Sequence, residues 1–482
     1  MYYKNYSLFL LLIAALLIQS CGSSSTVTVV PEGPRSAAAA DTTIDEDTFR
    51  QLTIGVIDPV TNFDPLFAED LSTMRVLSLI YDGLFTLSAD GSVTPALAAS
   101  HSVSDDRREY VVQINRDHFF HDSNAFVSGV GRRIHANDIK WAFERTALVT
   151  VPEHAGNLLM NIEGYERYFL EQRNIYDTSK RVVSDVSGIE VRNADTVIFR
   201  LKEPDSDFLK KLASPYLFIY PREALQRSDR SLSSRPVGTG LYSLRDREEN
   251  RIIFSKRTTD ESLNRLADRI DIIKFQNEGE LFQQFILGNV DFIPEVGPSS
   301  SYQLVSDEGD LVGSYRDQFK MTLHNSHRLI SLYLNSNSSI DNSWLQSRLI
   351  DLNEDLFEYR ANFVFNFEAD TLTTYESQFD EYYIRFTDDI FARSLFSQIN
   401  SAVLTPDASL NFVDIRVVIP EISLYSRTID SFHQRFFNQQ SGWLTAESEI
   451  VSVYQNHISG IEASDVPWLI DVRNIRISAS QQ

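Results

Sequence analysis

An α/β fold is the expectation for this chain, and three observations lead to it. Short apolar runs rich in Val, Ile and Phe alternate with segments whose apolar residues recur at helical spacing. Aromatic residues make up 11% of the chain, enough apolar area for large cores. At 482 residues, 43% hydrophobic and 23% charged, the composition is globular and the length suits two or three domains.

The elements follow in chain order. TIGVI at 53–57 reads as a strand, followed by a turn-rich loop from Asp58-Pro59 to Asp64-Pro65. Met74, Leu77, Ile80, Tyr81 and Leu84 then recur at helical spacing, which predicts an amphipathic helix over 72–85. YVVQI at 110–114 is a strand, and Asn137 is the expected N-cap of a helix over 138–149. TVIFRL (196–201), RIIFSK (251–256) and IDIIKFQ (270–276) read as strands. A helix over 278–287 should stop at Gly288, and a strand VDFIPEV follows it. LISLYLN (329–335) and DIRVVIP (from 414) are further strands, with helices expected at 343–359 and 388–399. No internal repeat is visible.

Composition also excludes function classes. Lys+Arg 44 against Asp+Glu 67 gives a net charge of −23, which argues against a nucleic-acid partner. One Cys permits no intrachain disulfide and no cysteine-ligated zinc cluster. Beyond residue 20 no apolar run approaches the ~20 residues of a membrane span. The first twenty residues carry Lys4 ahead of an apolar run from Leu8 to Ile18, the layout of an export signal. Ile18-Gln19-Ser20-Cys21-Gly22 resembles a bacterial lipobox, which implies cleavage before Cys21 and a lipid on its sulfur. Two or three acyl chains would anchor it firmly, at ~0.8 kcal/mol per buried CH₂. Residues 21–48, small and polar or acidic, then read as a flexible tether to the membrane.

Several runs in one order carry a family resemblance. They are FDP at 63–65, VLSLIYDGLF at 76–85, the stretch 94–122, RIHANDIKWAFER at 133–145, VRNADTVIFRLKEP at 191–204, PVGTGLYSL at 236–244, the strand-helix-strand at 270–296, and LYLNSN at 332–337. Together they resemble the family 5 extracellular solute-binding proteins, the peptide- and nickel-binding receptors of ABC importers. The resemblance implies a two-lobe periplasmic binding protein-like fold of type II with an extra inserted domain. Its first lobe would comprise 49–92, 193–268 and 452–482, with the insert at 93–192 and the second lobe at 269–451. It also implies the function: capture of a peptide or small polar solute by closure of the lobes, for delivery to an ABC permease, without catalysis or a cofactor. The second lobe departs from the family pattern. The Gly-Ala-Pro-Pro cassette is missing, and the run that commonly supplies an Asp for a peptide's amino terminus is shortened, with Asp430 and the surroundings of Trp443 as stand-ins. An unpaired buried charge costs several kcal/mol, so this loss bears on the ligand. The rival reading is an envelope scaffold or sensor with an eroded second lobe.

The same resemblance places Phe67, Asp70 and Met74 towards the cleft, and Gly238 and Thr239 at a turn entering a first-lobe strand. Met74 would supply a soft apolar wall. Arg328 would pair a ligand carboxylate, with Tyr333 beside it and Trp443 as a stacking wall. Other patterns carry less. His118/His121 and His324/His327 are each three apart, but the first pair sits in a segment matching an insert-domain loop of that family and the second has no nearby carboxylate pair, so no metal site is expected. Asp351-Asn353-Asp355 opens like a calcium loop, yet Leu356 and Asn362 stand where Gly and Glu are needed. Gly129 and Gly131 form no phosphate cradle, and neither H-E-x-x-H nor G-x-S-x-G occurs.

Overall fold

The computed structural model describes residues 49–478 apart from 58–59, 61, 69, 227–230, 258–265, 307–308, 335–360, 365–382, 387–411, 421–443, 465, 467 and 470–473. The leader with Cys21, the tether, the helices expected at 343–359 and 388–399, Asp430 and Trp443 lie outside the described residues. Phe49–Gln482 forms one compact unit.

Strand β1 (Gln51–Val56) is the centre from which the main sheet grows. The chain then enters helix α1 (Leu71–Ile80), shorter than expected at its far end. Asp70 fixes its start, accepting the Thr73 amide and hydroxyl at 2.7 Å each. Its end is fixed by Gly240, whose N–H takes the Ile80 carbonyl at 2.8 Å. Tyr81 and Leu84 are fully buried beyond the helix, which is why apolar spacing alone carried the expectation too far.

After the hairpin β2 (Phe85–Leu87) and β3 (Val93–Pro95), the chain builds a separate antiparallel sheet. Its strands are β4 (Ala98–Val103), β5 (Glu109–Ile114), β6 (Ile189–Asn193) and β7 (Thr196–Arg200), in the order β4-β5-β7-β6. Helix α2 (Ala136–Arg145) packs on β6 and β7. It starts two residues before the expected 138 because the Asp138 carboxylate reaches back to the His135 amide at 2.9 Å, so His135 and not Asn137 is the N-cap. It stops at Arg145, since the Thr146 hydroxyl turns back to the Phe143 carbonyl. Helix α3 (Tyr165–Asn174) completes this part.

The chain returns to the main sheet with β8 (Tyr242–Arg247), β9 (Arg251–Lys256) and β10 (Arg269–Lys274). β10 runs parallel to β1 from Gln51↔Arg269 to Val56↔Lys274. Helix α4 (Glu278–Ile286) follows, and Gly288 adopts the left-handed φ of 77° expected after it. The strand expected at VDFIPEV is only β11 (Phe292–Ile293), because Pro294 has no N–H to extend the ladder. β11 is parallel to β1, and α5 (Pro298–Leu304) lies beyond it.

Two long strands carry the sheet onward. β12 (Phe319–Leu334) begins ten residues before the expected run and pairs antiparallel with β16 (Leu444–Gln455). The register holds from Phe319↔Gln455 to Asn325↔Glu449, then skips two residues and resumes at Arg328↔Ser448. β11 flanks β16 near Tyr454, whereas β13 (Ala361–Val364) flanks it from Thr445 to Ser448. β15 (Phe412–Pro420) lies against the outer half of β12, and β14 (Tyr383–Phe386) closes that edge. The full order is β14-β15-β12-β16-β11-β1-β10-β9-β8. β10 is bonded to β1, and β11 to both β1 and β16. A short pair, β17 (Ile458–Ser459) and β18 (Arg476–Ile477), closes the described chain. One core lies under α1; a second packs α4 and α5 against β12 and β16 through Phe285, Val290, Leu304, Phe319 and Val453.

Candidate functional site

Two polar regions stand out, and their residues are spent differently. The first joins α2 to the segment after β1. Asp64, in FDP, accepts the Leu66 amide at 3.3 Å and so opens the turn Pro65–Phe67. Arg145 at the end of α2 gives Nη1 to Asp64 Oδ1 and to the Tyr220 hydroxyl, each at 2.9 Å, and Nη2 to Asp64 Oδ2. Burial pushes the Tyr220 phenol up to about 12. Arg132 bridges Asp138 (2.7 and 2.8 Å) and Glu223 (2.7 and 2.8 Å) with its guanidinium over the Phe120 ring. His121 donates from Nε2 to the Gly240 carbonyl at 3.0 Å and accepts the Gly238 amide at Nδ1. Burial, helped by the Arg257 charge, pushes its imidazole down to about 3.

The turn expected to face a ligand belongs to this first region. A methyl on Gly238 would stand 2.1 Å from the Ile80 carbonyl oxygen, so glycine there permits close backbone packing. Thr239 is buried and donates to Asp82 at 2.9 Å, while Arg257 caps its carbonyl. Met74 is fully buried in the first core, Asp70 is the cap of α1, and half-buried Phe67 ends the turn after Asp64. None of these five lines the cavity described next. Arg328 and Tyr333 hold register positions on β12 opposite Ser448 and Asp414.

The second region is that cavity, of about 300 Å³, at the crossing of β11, β12 and β16. Arg75 of α1, Pro294, His324 of β12, Ser452 of β16 and Glu462 and Ser464 of the closing segment line it. Pro294 follows β11 directly, so the cavity sits beyond the carboxyl end of a strand parallel to β1, where open α/β sheets bind ligands. Its size is at the lower end of small-molecule sites, ~300–1,000 Å³.

A directed chain of hydrogen bonds braces the cavity. The Ser464 amide donates to His324 Nδ1 at 3.0 Å. With that nitrogen accepting, Nε2 carries the proton and donates to Ser452 Oγ at 2.8 Å, and the Ser452 hydroxyl donates to the Pro294 carbonyl at 2.6 Å. Burial, reinforced by the Arg75 charge and opposed by Glu295, pushes the His324 imidazole down to about 4. Ser and His thus lie at the distance of a nucleophile and its base, but the proton directions are reversed: no lone pair faces the hydroxyl, and Ser452 is 2% exposed. Behind Arg75, Glu295 accepts both terminal guanidinium nitrogens on one oxygen at 3.2 Å.

Sequence reading passed over Arg75, Glu295, Ser452, Glu462 and Ser464, and treated His324 only as half of a metal pair. The visible signal was one cation inside the otherwise uncharged helix LSTMRVLSLI. Among the described residues no group of three or more His, Cys, Asp or Glu side chains is placed to hold a metal ion, and no helix is long and apolar enough to cross a membrane.

Comparison with known proteins adds three findings. Residues 92–349 match the sequence model of the bacterial extracellular solute-binding proteins, family 5 Middle. The glutathione-binding protein GsiB of Salmonella choleraesuis is 29% identical over 195 residues, 40% of this chain and 32% of that protein. The peptide transport periplasmic protein SapA of Haemophilus influenzae is 27% identical over 208 residues, 40% of this chain and 36% of its own. The chain therefore aligns with about a third of the length of these curated relatives. Among solved structures, the Escherichia coli murein tripeptide binding protein MppA superposes with a TM-score of 0.61 at 13% identity, covering 89% of this chain and 98% of that one. Burkholderia pseudomallei OppA gives 0.63 at 13%, covering 89% and 99%. At that identity the likeness concerns the fold: an α/β two-lobe periplasmic binding protein.

Proposed function

Because this chain belongs to the family 5 bacterial extracellular solute-binding proteins, we propose that it captures a peptide or similar small polar solute between two lobes for an ABC permease. The cavity at the strand crossing carries this reading. It lies beyond the carboxyl end of β11, is enclosed by strands that run through the sheet, and mixes a buried cation with apolar walls. Relatives named for glutathione and peptide transport support the solute class. Capture of this kind is a hinge equilibrium, biased only by the solute's higher affinity for the closed state. The role is binding without turnover, consistent with a His324 imidazole whose lone pair is turned away from Ser452. Delivery from the envelope calls for an anchor, and Cys21 in the run IQSCG supplies one through lipidation.

Native mass spectrometry of the full chain, purified gently from an expressing bacterium, tests this. The expected result is a co-purifying small mass released on denaturation and identified as a peptide or peptide-like solute. A bare protein mass that stays unchanged after soaking with peptide mixtures would instead favour the scaffold reading, which the missing Gly-Ala-Pro-Pro cassette suggests. The anchor has its own test: Cys21→Ser should abolish labelling by a fatty-acid probe and release the protein from membranes. A variant still sedimenting with membranes would refute it.

A further inference from the structure

Resting on the proposed lipid anchor at Cys21, we infer that the loop at 122–131 is a membrane contact, which sets Val127 and Val130 on the lipid surface to which Cys21 is attached. Val127 is exposed in full, at 110%, and Val130 at 46%. Exposed valines scattered singly mean little. Here the loop is braced to hold them out. The Ser123 amide donates to the Gly129 carbonyl at 3.0 Å, the Gly129 amide to the Phe126 carbonyl at 3.0 Å, and the Gly131 amide to Asp122 Oδ1 at 2.8 Å. Phe126 is buried and stacks on Phe120 at the base, where the Arg132 guanidinium covers both rings. A loop already fixed loses little conformational entropy when its tip is covered.

Charge and place favour a bilayer over a protein partner. From 123 to 131 the run SNAFVSGVG holds no charged residue, on a chain of net charge −23. Anionic lipid repels an acidic body, so an uncharged apolar tip is where close approach costs least. Residues 22–48 separate Cys21 from Phe49, and a polar linker of that length averages ~30 Å end to end. It joins the body at the start of β1, whereas the cavity lies beyond the carboxyl end of β11, parallel to β1. The loop is rooted at the same end as the linker. The Arg50 amide donates to Asp268 at 3.0 Å, and Lys256 Nζ meets that carboxylate at 2.7 Å. The next residue, Arg257, donates to the Phe119 and Phe120 carbonyls at 3.2 Å each. From the loop base α2 runs the other way, ending with Arg145 on Asp64, past the carboxyl end of β1. A partner that senses closure has to touch both lobes, and a loop following β5 touches one. Two valines hold weakly by themselves, but the anchor raises their effective concentration at the bilayer. The body then rests with its cavity turned away from the lipid and open to solute.

The test uses the lipidated full chain in vesicles of phosphatidylethanolamine and phosphatidylglycerol. With Cys21 acylated, Val127→Cys and Val130→Cys each offer one free thiol for an environment-sensitive fluorophore. Val103→Cys is the control, exposed at the far end of β5 from the loop. Quenching by aqueous iodide is compared with the same variants carrying Cys21→Ser, free in solution. It should fall at least about threefold at 127 and 130 and stay unchanged at 103. Adding Val130→Asp should restore quenching at 127. Unchanged quenching at all three positions, in chains that sediment with the vesicles, would overturn the contact and leave the anchor standing. Chains that do not sediment would sink anchor and contact together. Protection found in native membranes but absent from protein-free vesicles would overturn the lipid assignment in favour of a protein partner.

Discussion

At the junction of α2 with the segment after β1, the guanidiniums are closed on protein carboxylates; at the strand crossing, a buried arginine borders a cavity. Arg145 holds Asp64 and Tyr220, and Arg132 holds Asp138 and Glu223, all at ordinary bond lengths or shorter. Arg75 is more deeply buried than either, its side chain 5% exposed against 10% for Arg145 and 30% for Arg132; its partner Glu295 sits at 3.2 Å and the residue borders a cavity. The same residue type therefore does two jobs. Closed networks fix the relative placement of chain segments, because breaking one strands a charge. A cation that also borders a cavity lies within reach of a solute placed there.

The contrast can be broken by substitution, starting where the largest loss is expected. Arg145→Met should destabilise by about 3–5 kcal/mol in denaturant unfolding, since it leaves Asp64 buried without its cation. Arg75→Met should cost less, about 1–2 kcal/mol, because the Glu295 side chain is 15% exposed and solvent reaches it. Equal losses would remove the distinction between the two regions. Gly238→Ala should cost about 1–3 kcal/mol, as the new methyl meets the Ile80 carbonyl. Gly288→Ala, with open space around it but φ at 77°, should cost roughly 1–2 kcal/mol by the same measurement.

Acid sharpens the comparison, because each region holds one neutral histidine. His121 and His324 have folded pKa values lowered to about 3 and about 4, below the unfolded value near 6.5. The unfolded chain therefore binds protons that the folded one does not. The stability is fully present above pH 6.5 and falls on acidification, by up to ~1.4 kcal/mol per pH unit for each histidine, until the folded group also protonates. Denaturant midpoints between pH 7 and 4.5 measure this slope. His121→Gln should reduce it by about one proton; an unchanged slope would show that His121 does not contribute.

Much of the architecture was legible in the sequence. Strands such as RIIFSK and the first-sheet run at 53–57 announced themselves by β-branched composition, and Gly288 marked its helix end. Boundaries set by distant partners were not. The end of α1 depends on Gly240, more than 150 residues away, and the length of β12 on pairing with β16. Ligand candidates chosen by resemblance included Met74, which is fully buried, and Gly238 and Thr239, which pack against Ile80 and Asp82 from far along the chain. Arg75 was readable only as an oddity in an apolar helix; that it borders a cavity follows from the closing segment around Glu462 and Ser464. Sites assembled from several separate segments leave no compact signature in any one of them.

Hydrogen–deuterium exchange on the full chain, with and without a saturating random dipeptide pool, tests the central claim most directly. Slower exchange is expected in Leu71–Ile80, along the inner half of β12 and in the segment from β16 to Ser464, with Ala136–Arg145 unchanged. Exchange that changes only in Ala136–Arg145, or nowhere while the pool is shown to be bound, would contradict capture at the strand crossing.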